Sequence, residues 1–105
     1  MKTTLKRCLA ILTLTLLSSA CVLAEGAADF KARCAPCHGL KGAGETKLGQ
    51  HLQVRDLGSA DVQKQTDADL TAVIAKGKGR MPPYAGKLSV SQIADVVKFI
   101  RSLKK

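Results

Sequence analysis

The chain has 105 residues, with 17 lysines and arginines against 8 aspartates and glutamates for a formal charge of +9, and its large aromatics amount to one tyrosine and two phenylalanines, with no tryptophan. A chain this short and this poor in aromatics buries one small core, which excludes a second domain, and domains of this size commonly need a disulfide, a metal or a cofactor inside them. The basic balance points to an anionic partner, but without a platform of aromatic side chains for bases to stack on, nucleic acid is not the expected one.

Lys2, Lys6 and Arg7 precede an apolar run from Leu9 to Leu17, small residues follow, and Val22-Leu23-Ala24 forms a cleavage signal. This is the layout of a secretory signal peptide over residues 1–24, so export to the periplasm is expected, with residues 25–105 as the mature domain. An uncleaved anchor fits less well, because Leu9 to Ala24 is only 16 residues, short of a full membrane span. Leu17-Ser-Ser-Ala-Cys21 resembles a bacterial lipobox, although Ser18 stands where a leucine is usual. Membrane attachment is therefore expected only if Cys21 is lipidated or the signal is retained. Cleavage removes Cys8, Cys21 and three basic residues but no acidic one, which lowers the charge from +9 to +6.

Gly26 to about Ala35 is compatible with a short helix that ends at Pro36, and Gly26, Phe30 and Cys34, spaced by four, share one face of it. Phe30 reads as a core aromatic. Cys34-Ala-Pro-Cys37-His38 then spells C-x-x-C-H, the pattern by which a c-type haem is attached to a chain. Two thiols three residues apart reach both vinyl groups, and the adjacent imidazole falls beneath the iron as proximal ligand. Two other readings compete. A thioredoxin-type redox pair would need a βαβ context, and no run here alternates like a strand. A zinc site would need two further ligands, and the mature chain offers only His51.

From Gly39 to Gly58 five glycines and no sustained periodicity predict a loop wrapping one side of the cofactor. His51 in this loop reads as an exposed imidazole, and Arg55 as either a propionate partner or a solvated arginine. Ser59 caps a turn through Lys64, and Thr66 caps a helix over Asp67 to Lys76, with Leu70, Val73 and Ile74 on one face and Gly77 as the stop. Asp67 and Asp69 suit the N-terminal helix dipole rather than acid–base work. Gly77-Lys-Gly-Arg-Met81-Pro-Pro-Tyr84 cannot be helical. It holds the only methionine of the mature chain, and Met81 on so rigid a loop is a good sixth ligand to haem iron. Ser89 and Gln92 make a capping box, Leu88 and Ile93 a hydrophobic staple, and Ile93, Val96, Val97, Ile100 and Leu103 one apolar stripe.

Taken together, residues 25–105 resemble a small bacterial class I cytochrome c. The resemblance implies an all-α cytochrome c fold, short helices wrapped around one covalently bound haem c with the N- and C-terminal helices packed together. Gly26 and Phe30 fall where that family crosses its two terminal helices, with Val96, Phe99 and Ile100 answering. Cys34 and Cys37 match the thioether cysteines, His38 the proximal ligand and Met81 the distal one. The family's proline after the haem motif is missing here, so a carbonyl near Lys47 to Gln50 is expected to accept the His38 N–H instead. With both axial positions filled, the expected function is one-electron transfer and not an enzymatic reaction. The alternatives are a cytochrome subunit of a larger periplasmic dehydrogenase or oxidase, and a haem enzyme or sensor with an open sixth position. A monomer is expected. Lys41, Lys47, Lys76, Lys78, Arg80 and Lys87 would form a basic rim for redox partners with acidic docking patches.

Overall fold

The computed structural model describes Cys21 and residues 23–105, so most of the expected signal peptide lies outside the described residues. Five helical segments follow in order, and the described residues form no strand, only isolated bridges between Lys78 and Met81 and between Ala85 and Leu88.

The first segment, α1 (residues 23–38), is not uniform: it is α-helical to residue 29, passes through a π-helical turn over Phe30–Cys34, and resumes as α-helix over Ala35–His38. Pro36 was expected to end this helix and does not. The Ala35 N–H bonds back to the Phe30 carbonyl, which opens a wide turn, and Pro36 then sits in the first turn of the resumed helix, where its missing N–H costs nothing. Gly39, at φ 83°, finally stops it.

The stretch expected to be all loop contains a short helix, α2 (Lys47–Leu52), capped by the Thr46 hydroxyl, which accepts the Gly49 N–H at 2.9 Å. Six residues are too few for a periodic signal, and Leu48 remains exposed, so the cap and the contacts of Gly49 hold this helix in place of a buried face. The remaining three follow their sequence signals. Ser59 caps α3 (Ala60–Gln63); Thr66 and Asp69 form a capping box for α4 (Asp67–Lys76), which ends at Gly77; and Ser89 and Gln92 form another for α5 (Val90–Ser102). The two staple residues, Leu88 and Ile93, are both buried.

α1 crosses α5, and the crossing is close. A Cβ on Gly26 would lie 2.3 Å from the Asp95 carbonyl oxygen, and the Phe30 and Phe99 rings meet at 4.8 Å between centroids. Phe30 and Val96 are the most completely buried large side chains, joined in one core by Leu70 and Ile74 of α4 and by Ile93, Val97 and Ile100 of α5. Arg101 ties the end of α5 to the α3–α4 connection, donating to Asp67 at 2.8 Å and to the Gln63 and Gln65 carbonyls. This frame leaves one face of the core open between α1, α4 and the loop that follows it.

Candidate cofactor site

That open face is a cleft of about 310 Å³, within the ~300–1,000 Å³ typical of small-molecule sites. α1 contributes Cys34, Cys37 and His38 to it, the loop after α4 contributes Met81 and Pro82, and the apolar wall comes from Phe30, Leu70, Ile74, Val96 and Ile100. The four residues singled out in the sequence therefore converge on one space, although Met81 comes from the opposite half of the domain.

Electrostatics separate the competing readings of the cysteine pair. Burial pushes the Cys34 thiol up to about 11, with smaller contributions from Asp29 and Cys37. A redox-exchange thiol needs the reverse, a depressed value that keeps a thiolate available, so the thioredoxin reading fails on this geometry as well as on the fold. No group of three or more His, Cys, Asp or Glu side chains among the described residues is placed to hold a metal ion by itself. Burial holds His38 below the ordinary imidazole range, so it is neutral at pH 7, the form in which an imidazole binds iron.

The loop after the motif grips its backbone rather than its ring. The Thr46 hydroxyl donates to the Pro36 and Cys37 carbonyls, each at 3.1 Å, and the Gly44 N–H donates to the His38 carbonyl at 2.8 Å. Gly49 lies so close beneath that a Cβ there would stand 2.2 Å from the Cys37 oxygen. The expected acceptor for His38 is not found: its Nδ1 is buried without a hydrogen-bond partner, and the Lys47–Gln50 segment meets the Cys37 carbonyl instead.

Met81 is half-buried against the core, on a loop closed by reciprocal backbone bonds with Lys78 of 3.0 and 3.1 Å. Gly77 makes this turn possible: at φ 74° it brings the Met81 carbonyl within 2.6 Å of where a Cβ would be. Tyr84 follows, half-buried, with its hydroxyl donating to the Arg33 carbonyl at 3.1 Å. Burial raises its phenol above the ordinary range, so the hydroxyl remains a donor. His51 is exposed and takes no part in the cleft, whereas Arg55, Lys78 and Arg80 stand at its mouth. Lys41, Lys47, Lys76 and Lys87 are exposed as well.

Three contributors were not singled out in the sequence: Thr46, Gly49 and Tyr84. Thr46 three residues before Gly49 carried an N-cap signal. Tyr84 was marked only as the lone tyrosine after a Pro-Pro pair.

An apolar wall, a helical pair of thiols, a neutral imidazole, a thioether on a braced loop and a basic mouth fit a haem. Comparison with known proteins agrees. The family model for cytochrome C oxidase, cbb3-type, subunit III matches residues 22–100. A cytochrome c6 from Limnospira maxima is 37% identical over 82 residues, covering 74% of this chain and 89% of that protein. A cytochrome c6 from a Nostoc strain is also 37% identical over 79 residues, covering 72% of this chain and 66% of that one. The solved structure of the KustC0563 c-type cytochrome superposes with a TM-score of 0.71 at 30% identity, covering 76% of this chain and 98% of that chain. The chain belongs to the class I c-type cytochromes. It has the cytochrome c fold and is a small electron carrier with covalently bound haem c, acting with redox partner proteins.

Proposed function

We propose that Cys34 and Cys37 hold the haem through two thioethers, that His38 and Met81 are its axial ligands, and that the protein is a periplasmic shuttle rather than an enzyme. The observation that carries this reading is the convergence of all four side chains on one cleft with an apolar wall. Bound there, the group supplies reversible one-electron exchange at iron, at a potential that a thioether ligand raises relative to a second imidazole.

The chain's own residues do the rest. His38, kept neutral by burial, offers a lone pair, and the Thr46 and Gly44 bonds to the motif's carbonyls fix where the imidazole stands. Phe30, Leu70, Ile74, Val96 and Ile100 keep water from the inner wall. Held by both His38 and Met81, the iron would keep no position for a substrate, and the chemistry it would supply is electron exchange at the open side of the cleft. Arg55, Lys78 and Arg80 at that opening favour a redox protein with an acidic docking patch. Cleavage of residues 1–24 would release residues 25–105 to the periplasm as a monomer, held at a membrane only by a lipid on Cys21 or a retained signal. No helix among the described residues is long and apolar enough to cross a membrane.

The test is at Met81. Met81→His is expected to lower the reduction potential, and Met81→Ala to open the iron to cyanide or carbon monoxide. An unchanged potential and spectrum in both variants would reduce Met81 to packing and move the sixth ligand to His51 or a lysine. The matching family model is described as an oxidase subunit, which favours a second reading: the same electron transfer in fixed association with a larger complex. Co-purification with an oxidase from mildly solubilised membranes separates that from a free shuttle.

A further inference from the structure

The Met81 loop is anchored mainly to the helix it follows. Its Lys78–Met81 pair is internal, and the Tyr84 and Ala85 N–H groups donate to the Ile74 and Ala75 carbonyls of α4 at 3.0 and 3.1 Å. Across the cleft, a single hydrogen bond among the described residues joins this loop to α1: the Tyr84 hydroxyl donates to the Arg33 carbonyl at 3.1 Å, over 51 residues of sequence. Its acceptor is the residue immediately before Cys34, inside the π-helical turn. We propose that Tyr84 is a positioning residue: its hydroxyl latches the Met81 loop to the haem-attachment helix and sets how readily an outside ligand displaces Met81.

The inference rests on Met81 being the sixth ligand. For a small ligand to reach the iron from that side, the Met81 loop must swing away from α1. The bonds to α4 survive such a swing as a hinge, and the Tyr84–Arg33 bond does not. Apparent affinity for an outside ligand scales with the fraction of molecules in the open state. Removing one hydrogen bond raises that fraction by roughly 2- to 13-fold. Tyr84→Phe removes the hydroxyl alone, keeping the ring packed against the core and under the Lys87 ammonium, 5.6 Å from its centroid.

The experiment is an imidazole titration of the ferric haem-loaded protein, followed by absorbance, for wild type, Tyr84→Phe, Met81→Ala and the double variant. Tyr84→Phe is expected to bind imidazole roughly 2- to 13-fold more tightly than wild type. In the Met81→Ala background, where nothing has to be displaced, the same change is expected to have no effect. A purely structural role would lower the melting temperature of Tyr84→Phe but leave its imidazole affinity at the wild-type value, and that result overturns the latch. Equal tightening in both backgrounds overturns it too, because the cleft as a whole would then have loosened. If Met81→Ala alone leaves the affinity unchanged, the ligand assignment has failed and the latch falls with it.

Discussion

Gly26→Ala tests the α1–α5 crossing on which the cleft depends. The added Cβ would stand 2.3 Å from the Asp95 carbonyl oxygen and 2.8 Å from its carbon, whereas ordinary contact begins at 3.4 Å. Both neighbours are backbone, so no side chain can rotate away, and the helices must part by about 1.1 Å, the shortfall at the closer atom. Parting them also pulls on the Phe30–Phe99 pair. Overpacking of this kind costs about 1–3 kcal/mol, while alanine's higher helix propensity returns up to ~1 kcal/mol. With both clashes against backbone the cost falls in the upper part of that range, about 2–3 kcal/mol, leaving a net loss of about 1–2 kcal/mol, which for a domain of this size lowers the melting temperature by roughly 4–16 °C. The assay is guanidinium and thermal unfolding of the haem-loaded protein by far-ultraviolet circular dichroism. Ala28→Gly, on an exposed position of the same helix, serves as the reference for propensity alone and should cost about 1 kcal/mol. A Gly26→Ala protein as stable as wild type, or more so, would show that the crossing has slack and that the reasoning from contact distance is wrong.

The other predictions concern attachment, docking and acid stability. The wild type should keep its haem through acid and denaturant, while the Cys34→Ala, Cys37→Ala double variant should give apoprotein or lose haem on denaturation; haem extracted from denatured wild type defeats the thioether assignment. Electron transfer with an acidic partner should slow steeply as salt rises, since screening acts over ~8 Å at physiological ionic strength, and Lys78→Glu with Lys87→Glu should abolish the effect. A flat salt series that the double charge reversal leaves unaltered removes these exposed lysines from docking. The Glu45 carboxylate accepts the Lys41 and Ala43 N–H groups at 3.0 Å, and these backbone bonds hold it below its ordinary 4.5. Its folded-state value is therefore the lower one, so its contribution to stability is present above 4.5 and lost as pH falls through the depressed value. The stability difference between wild type and Glu45→Gln should shrink on acidification, and a difference constant with pH refutes it.

What the sequence made legible was local or periodic. The stripe on α5, the Ser89–Gln92 box and the Gly77 stop are written within a few residues and appear where expected. The C-x-x-C-H motif and Met81 in its braced loop were readable because each carries its chemistry in adjacent residues. The misses share the opposite property. α2 depends on a hydroxyl that reaches ten residues back to the Pro36 carbonyl, and a six-residue helix leaves no periodic trace. The π-helical turn takes up one more residue than an α-turn ahead of Pro36, which spacing alone does not reveal. Tyr84 and Arg33 meet only because the cleft closes over 51 residues. The missing acceptor for His38 came from carrying over a family feature to a loop that folds against the Cys37 carbonyl instead.

The π-helical turn also decides which changes this part of the chain can absorb. Lys31 and Ala32 are exposed and line no part of the cleft, and the one cross-cleft bond of this turn uses the Arg33 backbone carbonyl, so these two side chains are open to exchange. Their number is not. Dropping one of them would tighten the wide turn to ordinary pitch, leave the flanking faces close to their present phase, and place Pro36 in the interior of a continuous α-helix, where its ring meets the carbonyl four residues back at a cost of about 3 kcal/mol. Selection at Lys31 and Ala32 should therefore act on length and hardly on identity, so that a library randomised there keeps its stability while a single-codon deletion loses it.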